Sequence, residues 1–426
     1  MERVGRRRWR IAALLGLGVL VNYMDRVNLS VSHDALHQSF AISDVTFGYL
    51  LSAYNFTYCL CQLPMGVVLD KFGVKRVGRV STFLWSIASF AAAIANSVPA
   101  FFGARFLLGI GESPIFPSNA KAIGHWFPRH ERSFATALFD SAAKFSSAIG
   151  VPLIGILLLH VGWRMSFAFT GLISLIYFVL FTTIYREPEE DARLTPEEWA
   201  HIHSQHTSTE VLHEKGFQFT LPQLLMQPKV IGLSLGVCAY NYVFYLLLTW
   251  LPTYLSQSLG IDLLHSFLYT GFPWLVATAV DLAVGGWFVD WLIHRGVHPG
   301  KLRIGVLIIG MIFGLGILGA APAHTAASAL FWITISLAGL SAAAPIVWSA
   351  PSLIAPRANV ATVGGIVNFS GQLAAITAPI VTGYLVARTH SFASAFVVAG
   401  VCLAVGTLSY ATLLRSVEPM KAHRAG

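Results

Sequence analysis

The sequence predicts an all-α polytopic membrane protein in which twelve transmembrane helices form two repeats of six. The composition, the placement of basic residues and an internal repeat support this fold class. Of the 426 residues, 55% are hydrophobic and 11% are charged, whereas charged residues make up roughly 25% of a soluble globular domain. The composition therefore excludes an ordinary water-soluble protein.

Twelve apolar stretches are long enough to cross a hydrocarbon core, which takes about 20 residues of helix. Short polar segments separate most of them. They cover residues 10–31, 46–69, 77–96, 99–121, 133–160, 163–185, 229–256, 265–290, 303–322, 325–350, 360–387 and 391–414.

The basic residues lie almost entirely on one side of these spans. With the N-terminus inside, all but five of the 28 Lys and Arg residues fall in inner segments; three lie within spans, and Arg164 and Arg388 fall outside. This bias is the positive-inside rule. We therefore expect both termini in the cytoplasm, a multi-pass protein of the cell inner (plasma) membrane, and no nucleic-acid partner despite the net charge of +8.

One long polar segment divides the chain. The predicted organisation is an N-terminal six-helix bundle over residues 1–185, a linker loop over 186–228 and a C-terminal six-helix bundle over 229–426. Within the linker, Thr195 is a helix cap, Pro196 stands at the first helical position and Glu198 lies three residues after the cap, a pattern typical of a short helix. We interpret this acidic segment as a solvated surface helix with no chemistry.

The two halves carry matching loops. Gly66 to Arg76 holds the pattern G-x-x-x-D-K-x-G-x-K-R, whose fixed positions include Asp70, Lys71 and Gly73; the second half has a weaker copy around Asp290. Parallel repeats of this kind build one large class of secondary transporters, with the substrate site near the bilayer midplane.

Seven ionisable residues fall inside the spans, where each costs at least about 2.5 kcal/mol to insert and usually faces an aqueous cavity or the bundle interior. At about 1.5 Å per residue, some lie near mid-membrane and others in the outer half, which favours a polar cavity open to the outside. Asp140 and Lys144 are four residues apart, so a simple neutralising pair is an equal alternative. The seven are Asp25, Arg26, Arg105, Glu112, Asp140, Lys144 and Asp281.

Uncharged polar residues add candidate substrate contacts. Tyr54 and Tyr58 recur on one face of the second span, and Asn368 and Gln372 form a similar stripe in the eleventh, near Trp348 and Ser349 of the tenth. Their hydroxyl and amide groups suit the hydroxyls of a sugar acid. Packing between helices is the alternative for the tyrosines and the amides.

The loop over residues 66–76 resembles the signature loop of the major facilitator superfamily, which there acts as a cytoplasmic gate. A narrower resemblance covers nearly the whole chain, to the anion:cation symporter branch that includes galactonate, glucarate and hexuronate carriers and sialin-type transporters. Four stretches carry it, at residues 22–29, 58–64, 105–132 and 364–369. In that branch an Arg matching Arg26 binds the substrate carboxylate, and acids matching Asp25 and Glu112 carry the coupled proton. We assign Arg105 to the same proton-coupling set as Asp25 and Glu112.

The resulting expectation is a secondary active transporter that imports a small organic acid anion, a sugar acid of the hexuronate, galactonate or glucarate type, by proton symport. The alternative is an exporter or exchanger of other organic acids or drugs. Enzyme activity is not expected, because the His residues lie in loops or at span ends without metal-ligand spacing. A primary ATP-driven pump is not expected either, because the sequence has no phosphate-binding Gly-rich loop. We expect a monomer in the lipid bilayer with no cofactor, metal or catalytic residue.

Overall fold

The computed structural model describes residues 5–128, 131–203, 219–356, 359–418 and 420. Every regular element in these ranges is helical. Eight stretches among them are long and apolar enough, by length and composition, to cross a membrane. The longest of these stretches, residues 138–184, covers most of the fifth and sixth predicted spans.

The first three helices are α1 (Arg7–Val31), α2 (His33–Phe40) and α3 (Asp44–Ile94). Helix α3 contains the predicted second and third spans, and the chain turns between them at Gly73, where φ is 75° and ψ is 164°. Side chains are disfavoured at such positive φ, so glycine is the residue that permits the break. Helix α2 lies in a stretch for which the sequence predicted only a connection.

The fourth predicted span is divided into α4 (Val98–Glu112) and α5 (Ile115–Trp126). Pro114 follows the end of α4 and has no N–H with which to continue the ladder of hydrogen bonds. The Ile110 carbonyl instead accepts a hydrogen bond from the Ser113 hydroxyl at 2.9 Å. The interruption therefore falls directly after Glu112.

Helix α6 (Arg132–Ile184) contains the fifth and sixth predicted spans, which are separated at Gly162, where φ is 80°. After a short 3-10 turn at Pro188–Glu190 comes α7 (Pro196–His203). The Thr195 hydroxyl accepts a hydrogen bond from the Glu198 N–H at 3.3 Å, so the predicted cap and short helix are confirmed. Residues 204–218 of the predicted linker lie outside the described residues.

The remaining helices follow the predicted spans within a few residues. A π-helical segment, Asp281–Phe288, joins α10 to α11, and another, Tyr410–Leu414, extends α16. The elements are α8 (Leu221–Leu225), α9 (Pro228–Leu259), α10 (Leu263–Val280), α11 (Val289–His294), α12 (Pro299–Gly314), α13 (Ile317–Ala320), α14 (Ala326–Ile354), α15 (Val360–Thr389) and α16 (Ala393–Ser409).

The chain forms two compact units. The first holds residues 1–42 and 53–213, and the second holds residues 43–52 and 214–426. In the first unit α1 packs along α6; the Ser146 hydroxyl donates to the Leu20 carbonyl at 2.6 Å. In the second unit α9 packs against α15 and α16. The predicted three-part division of the chain stays a prediction.

Candidate substrate and proton site

The site in the first unit is built around Arg26 of α1, whose side chain is almost fully buried. Its guanidinium carbon lies 4.4 Å from the ring centre of Tyr23, 4.6 Å from that of Tyr54 and 5.4 Å from that of Tyr58. It also donates a hydrogen bond to the Tyr54 hydroxyl. Aromatic faces attract a cation without neutralising its charge, so Arg26 is held in place and remains able to bind an anion.

The anion nearest to Arg26 is Glu112, at the last position of α4. The Arg26 Nε lies 3.7 Å from the Glu112 Oε2, and the Glu112 side chain is fully buried. Neither carboxylate oxygen of Glu112 has a hydrogen-bond partner among the described residues. A buried ion pair is stable only when its geometry is good and its remaining hydrogen bonds are made. The contact of Arg26 with Glu112 is thus a loose ion pair, too long for a hydrogen bond.

Asp25, the neighbour of Arg26 on α1, belongs to a different environment. Its carboxylate accepts hydrogen bonds from the Ser89 hydroxyl at 2.8 Å and from the Ser174 hydroxyl at 3.0 Å. Successive residues of an α-helix point about 100° apart, which is why Asp25 faces α3 and α6 while Arg26 faces the tyrosines. Asp25 is thus held by neutral hydroxyls, not by the adjacent guanidinium.

Arg105 of α4 lies close to both groups. Its Nη1 donates to the Asp25 backbone carbonyl at 3.4 Å, and its guanidinium carbon lies 5.6 Å from the Tyr54 ring centre. Arg105 and Glu112 are seven residues apart on α4, so they lie on the same face of that helix. In the structure the ion pair of Glu112 is made with Arg26.

Lys144 and Asp140 form the intrahelical pair that their spacing predicted. The Lys144 Nζ lies 3.1 Å from the Asp140 Oδ2, and the Lys144 side chain is buried. The role of Lys144 in substrate binding stays a prediction.

The candidate residues of the second unit lie on α14 and α15. Trp348 is 45% exposed, and the Ser349 hydroxyl donates to the Ile346 carbonyl at 3.1 Å. Asn368 is half-buried and Gln372, one turn later, is buried. The Gln372 Oε1 has no hydrogen-bond partner in the described part of the chain, so it can accept a hydrogen bond from a hydroxyl.

The signature loop is tied to the segment that follows α6. The Lys75 ammonium binds the Glu190 carboxylate, and the Lys75 N–H donates to the Glu187 Oε1 at 3.3 Å. Lys71 and Arg76 have exposed side chains. Gly66, Asp70 and Asp290 lie within helices, and the side chains of Asp70 and Asp290 lie outside the described residues.

An acidic cluster that the sequence assigned to a solvated linker is in fact docked on the N-terminal end of α1. Arg7 pairs with Asp191 at 2.7 Å, and Arg8 pairs with Glu131 at 2.7 Å and with Glu198 at 3.1 Å. Asp191 and Glu198 are both buried. The interpretation of a solvated helix is therefore wrong for these residues. The excess of acids opposite a basic N-terminus was the signal that could have predicted the contact.

Glu198 also caps α1. Its carboxylate accepts hydrogen bonds from the backbone N–H groups of Arg7 and Arg8 at 3.1 and 3.0 Å. A carboxylate here satisfies two of the unpaired N–H groups of the first turn and interacts favourably with the helix dipole. The hydrogen bond from Arg8 also lowers the pKa of Glu131 below its ordinary value.

Comparisons with known proteins agree with this architecture. Residues 15–379 match the family model of the Major Facilitator Superfamily. The chain is 38% identical to "Uncharacterized transporter YybO" of Bacillus subtilis, over 99% of this chain and 97% of that protein. It is 31% identical to "Probable galactarate/D-glucarate transporter GarP" of Escherichia coli K12, over 97% of this chain and 96% of that protein.

A solved structure of a bacterial homologue of the human lysosomal transporter Spinster has a similar fold, with a TM-score of 0.77 at 16% identity, covering 99% of this chain and all of that one. The prediction of a twelve-helix major facilitator fold is confirmed, and so is the resemblance to sugar-acid carriers.

Proposed function

Because the chain belongs to the major facilitator superfamily, an integral membrane transporter family, we propose that it imports a small organic acid anion of the sugar-acid class by proton symport. The observation that carries this proposal is the loose pair of Arg26 and Glu112. A buried guanidinium close to tyrosine rings and 3.7 Å from a carboxylate is the group that an incoming carboxylate would bind.

The pair supplies a reason for coupling. Arg26 can hold the Glu112 carboxylate or a substrate carboxylate, and a planar guanidinium binds either through paired hydrogen bonds. When the substrate takes Arg26, Glu112 is left as a buried anion without its partner, which costs several kcal/mol. Binding a proton removes that cost. Substrate and proton therefore favour each other's binding, which is the requirement for symport.

Asp25 is proposed as a second proton carrier. Its carboxylate is buried and held by serine hydroxyls, and a hydroxyl can donate to an ionised carboxylate or accept from a protonated one. The surroundings of Asp25 therefore accommodate both protonation states without rearrangement.

Two observations support a sugar acid as the substrate. The relative named for galactarate and D-glucarate shares 31% identity over almost the full chain. The tyrosine hydroxyls around Arg26 in the first unit, and the buried Gln372 oxygen in the second, are groups that bind sugar hydroxyls. We place Tyr54, Tyr58, Lys144, Trp348, Ser349, Asn368 and Gln372 in the substrate set on this basis.

Uptake by the purified protein in proteoliposomes tests the proposal. With an inward proton gradient, labelled galactonate or glucarate should accumulate above its external concentration, and a protonophore should abolish that accumulation. Empty liposomes and unlabelled competitor acids are the controls. If no organic acid accumulates in a gradient-dependent way, proton-coupled import is excluded. Efflux driven by the opposite gradient would instead support the exporter alternative.

A further inference from the structure

Two histidines outside the Arg26 site stand in a metal-binding arrangement. His33 and His37 are four residues apart on α2, so their side chains lie on the same face of that helix. Their ring centres are 4.7 Å apart, and a ring nitrogen of one lies within 4.8 Å of a ring nitrogen of the other. Two histidines with this spacing on one helix face can bind one Zn²⁺ ion.

Asp34 provides the second observation. Its Oδ1 lies 2.7 Å from the His33 Nδ1. A metal-binding histidine almost always donates its other ring N–H to a carboxylate or carbonyl, which fixes the tautomer and orients the ring. With the Nδ1 proton directed to Asp34, the Nε2 of His33 carries the lone pair that a metal requires. His33 is buried, so this orientation is held by packing as well as by the hydrogen bond.

We propose that His33 and His37, oriented by Asp34, bind a divalent transition metal of the Zn²⁺ class. Imidazole nitrogens suit Zn²⁺, Cu²⁺ and Ni²⁺, whereas Mg²⁺ and Ca²⁺ prefer oxygen ligands. Two nitrogens on a tetrahedral Zn²⁺ ion, at about 2.0 to 2.1 Å from it, lie about 3.3 Å apart. Metal binding requires side-chain rotation that brings the two nitrogens to that separation, and water can complete the coordination.

The pair lies in the connection between two helices of the proposed transport site. Helix α2 joins α1, which carries Arg26, to α3, which carries Tyr54 and Tyr58. Because both ligands belong to α2, a bound ion would link two successive turns of this helix and stabilise its helical form. Its binding can be measured without any transported substrate.

The sequence did not indicate this pair because residues 32–45 were predicted as a connection between spans. Four-residue spacing places two side chains together only when the backbone is helical. Once α2 is known, the expectation of no metal-ligand spacing no longer applies to His33 and His37.

Zinc binding to the full-length, tag-free protein tests the proposal. The thermal unfolding temperature should rise saturably with added ZnCl₂ and not with MgCl₂, and elemental analysis should find bound zinc. The variant His37→Ala should lose about one zinc equivalent per chain together with the thermal shift. Asp34→Asn should weaken zinc binding by about tenfold or more, the usual effect of removing an orienting carboxylate.

The matched control is His265→Ala. His265 also binds a carboxylate, with its Nδ1 2.5 Å from the Asp262 Oδ2, and it is the one histidine in α10. The His265→Ala variant should bind zinc like the wild type. If His37→Ala does not fold, His33→Gln, which retains a polar side chain, is tested in its place. No zinc-dependent shift in the wild type, or full zinc binding in the His33 and His37 variants, would overturn the proposal; neither result bears on acid transport.

Discussion

Helix α1 carries charged residues near both of its ends, and the two sets are satisfied in opposite ways. At its N-terminal end, Arg7 and Arg8 each have a carboxylate oxygen at 2.7 Å, and Glu198 caps the helix. Farther along the same helix, the Arg26 Nε lies 3.7 Å from the Glu112 carboxylate, and the guanidinium also contacts tyrosine rings and donates to the Tyr54 hydroxyl.

The difference supports the proposal that Arg26 serves substrate binding while the pairs of Arg7 and Arg8 hold the fold. Hydrogen bonds between nitrogen and oxygen fall between about 2.7 and 3.2 Å, so the pairs of Arg7 and Arg8 are fully made and that of Arg26 is not. Leaving a buried pair incompletely hydrogen-bonded lowers stability. A membrane protein retains such a pair where the charges serve a substrate or ion pathway.

The largest effect should come from Glu112→Gln, which makes this position permanently neutral. Arg26 remains able to bind substrate, but no proton can be gained or lost. Uphill accumulation driven by a proton gradient should be abolished, whereas exchange of labelled for unlabelled acid should continue. Accumulation and exchange are measured in the same proteoliposomes. Preserved uphill uptake would show that Glu112 is not part of the coupling mechanism. The proposed difference in role between the two charged sets of α1 would then be wrong.

Next in size is Arg26→Lys, which keeps the charge but replaces a planar fork with a single ammonium. Hydrogen bonds to charged groups contribute about 1.5 to 3 kcal/mol, so sugar-acid affinity should fall roughly 10- to 100-fold. Affinity is measured from the rise in thermal unfolding temperature as the sugar acid is added at constant pH. Arg79→Lys is the control, since Arg79 donates to the Thr182 carbonyl at 3.2 Å, away from the tyrosines. Unchanged affinity would refute the role given to Arg26.

Variants of the N-terminal set should change the stability of the protein and not its affinity for acids. Glu198→Gln removes a buried charge that pairs with Arg8 and caps α1. We expect a loss of about 1 to 3 kcal/mol in the free energy of unfolding, seen as a lower unfolding temperature, with affinity for acids unchanged. Glu197→Gln, at the exposed neighbouring position, should change stability by less than about 0.5 kcal/mol. Equal effects of the two variants would contradict the docking of α7.

The smallest effect should be the pH dependence of the stability that Glu131 contributes. The hydrogen bond from Arg8 lowers its pKa below the ordinary value of 4.5. A lowered folded-state pKa adds stability above that ordinary value, and this stability is lost as the pH falls through the folded-state pKa. Wild type and Glu131→Gln should therefore differ in unfolding temperature at neutral pH and converge in acid. A difference that grows on acidification would show that Glu131 is not stabilised by Arg8.

Much of the fold follows from the sequence because burial in lipid depends on local composition. The predicted spans match the helices to within a few residues, and the turns at Gly73 and Gly162 fall between spans, where glycine can adopt a positive φ. The short helix after Thr195 was also predictable, since a cap and a proline act within one turn.

The sequence also predicts which ionisable residues fall within the apolar spans, because any charge within a long apolar stretch is identified by its neighbours in the chain. The partners of these residues, and those of Glu198 in the linker, depend instead on how the helices pack. Glu112 pairs with Arg26, Asp25 with two serines, and Glu198 with the start of α1. Each choice depends on how a helix is rotated about its axis and which helix lies opposite. A rotation of 100° separates adjacent residues, so spacing along one helix cannot specify a contact made by another.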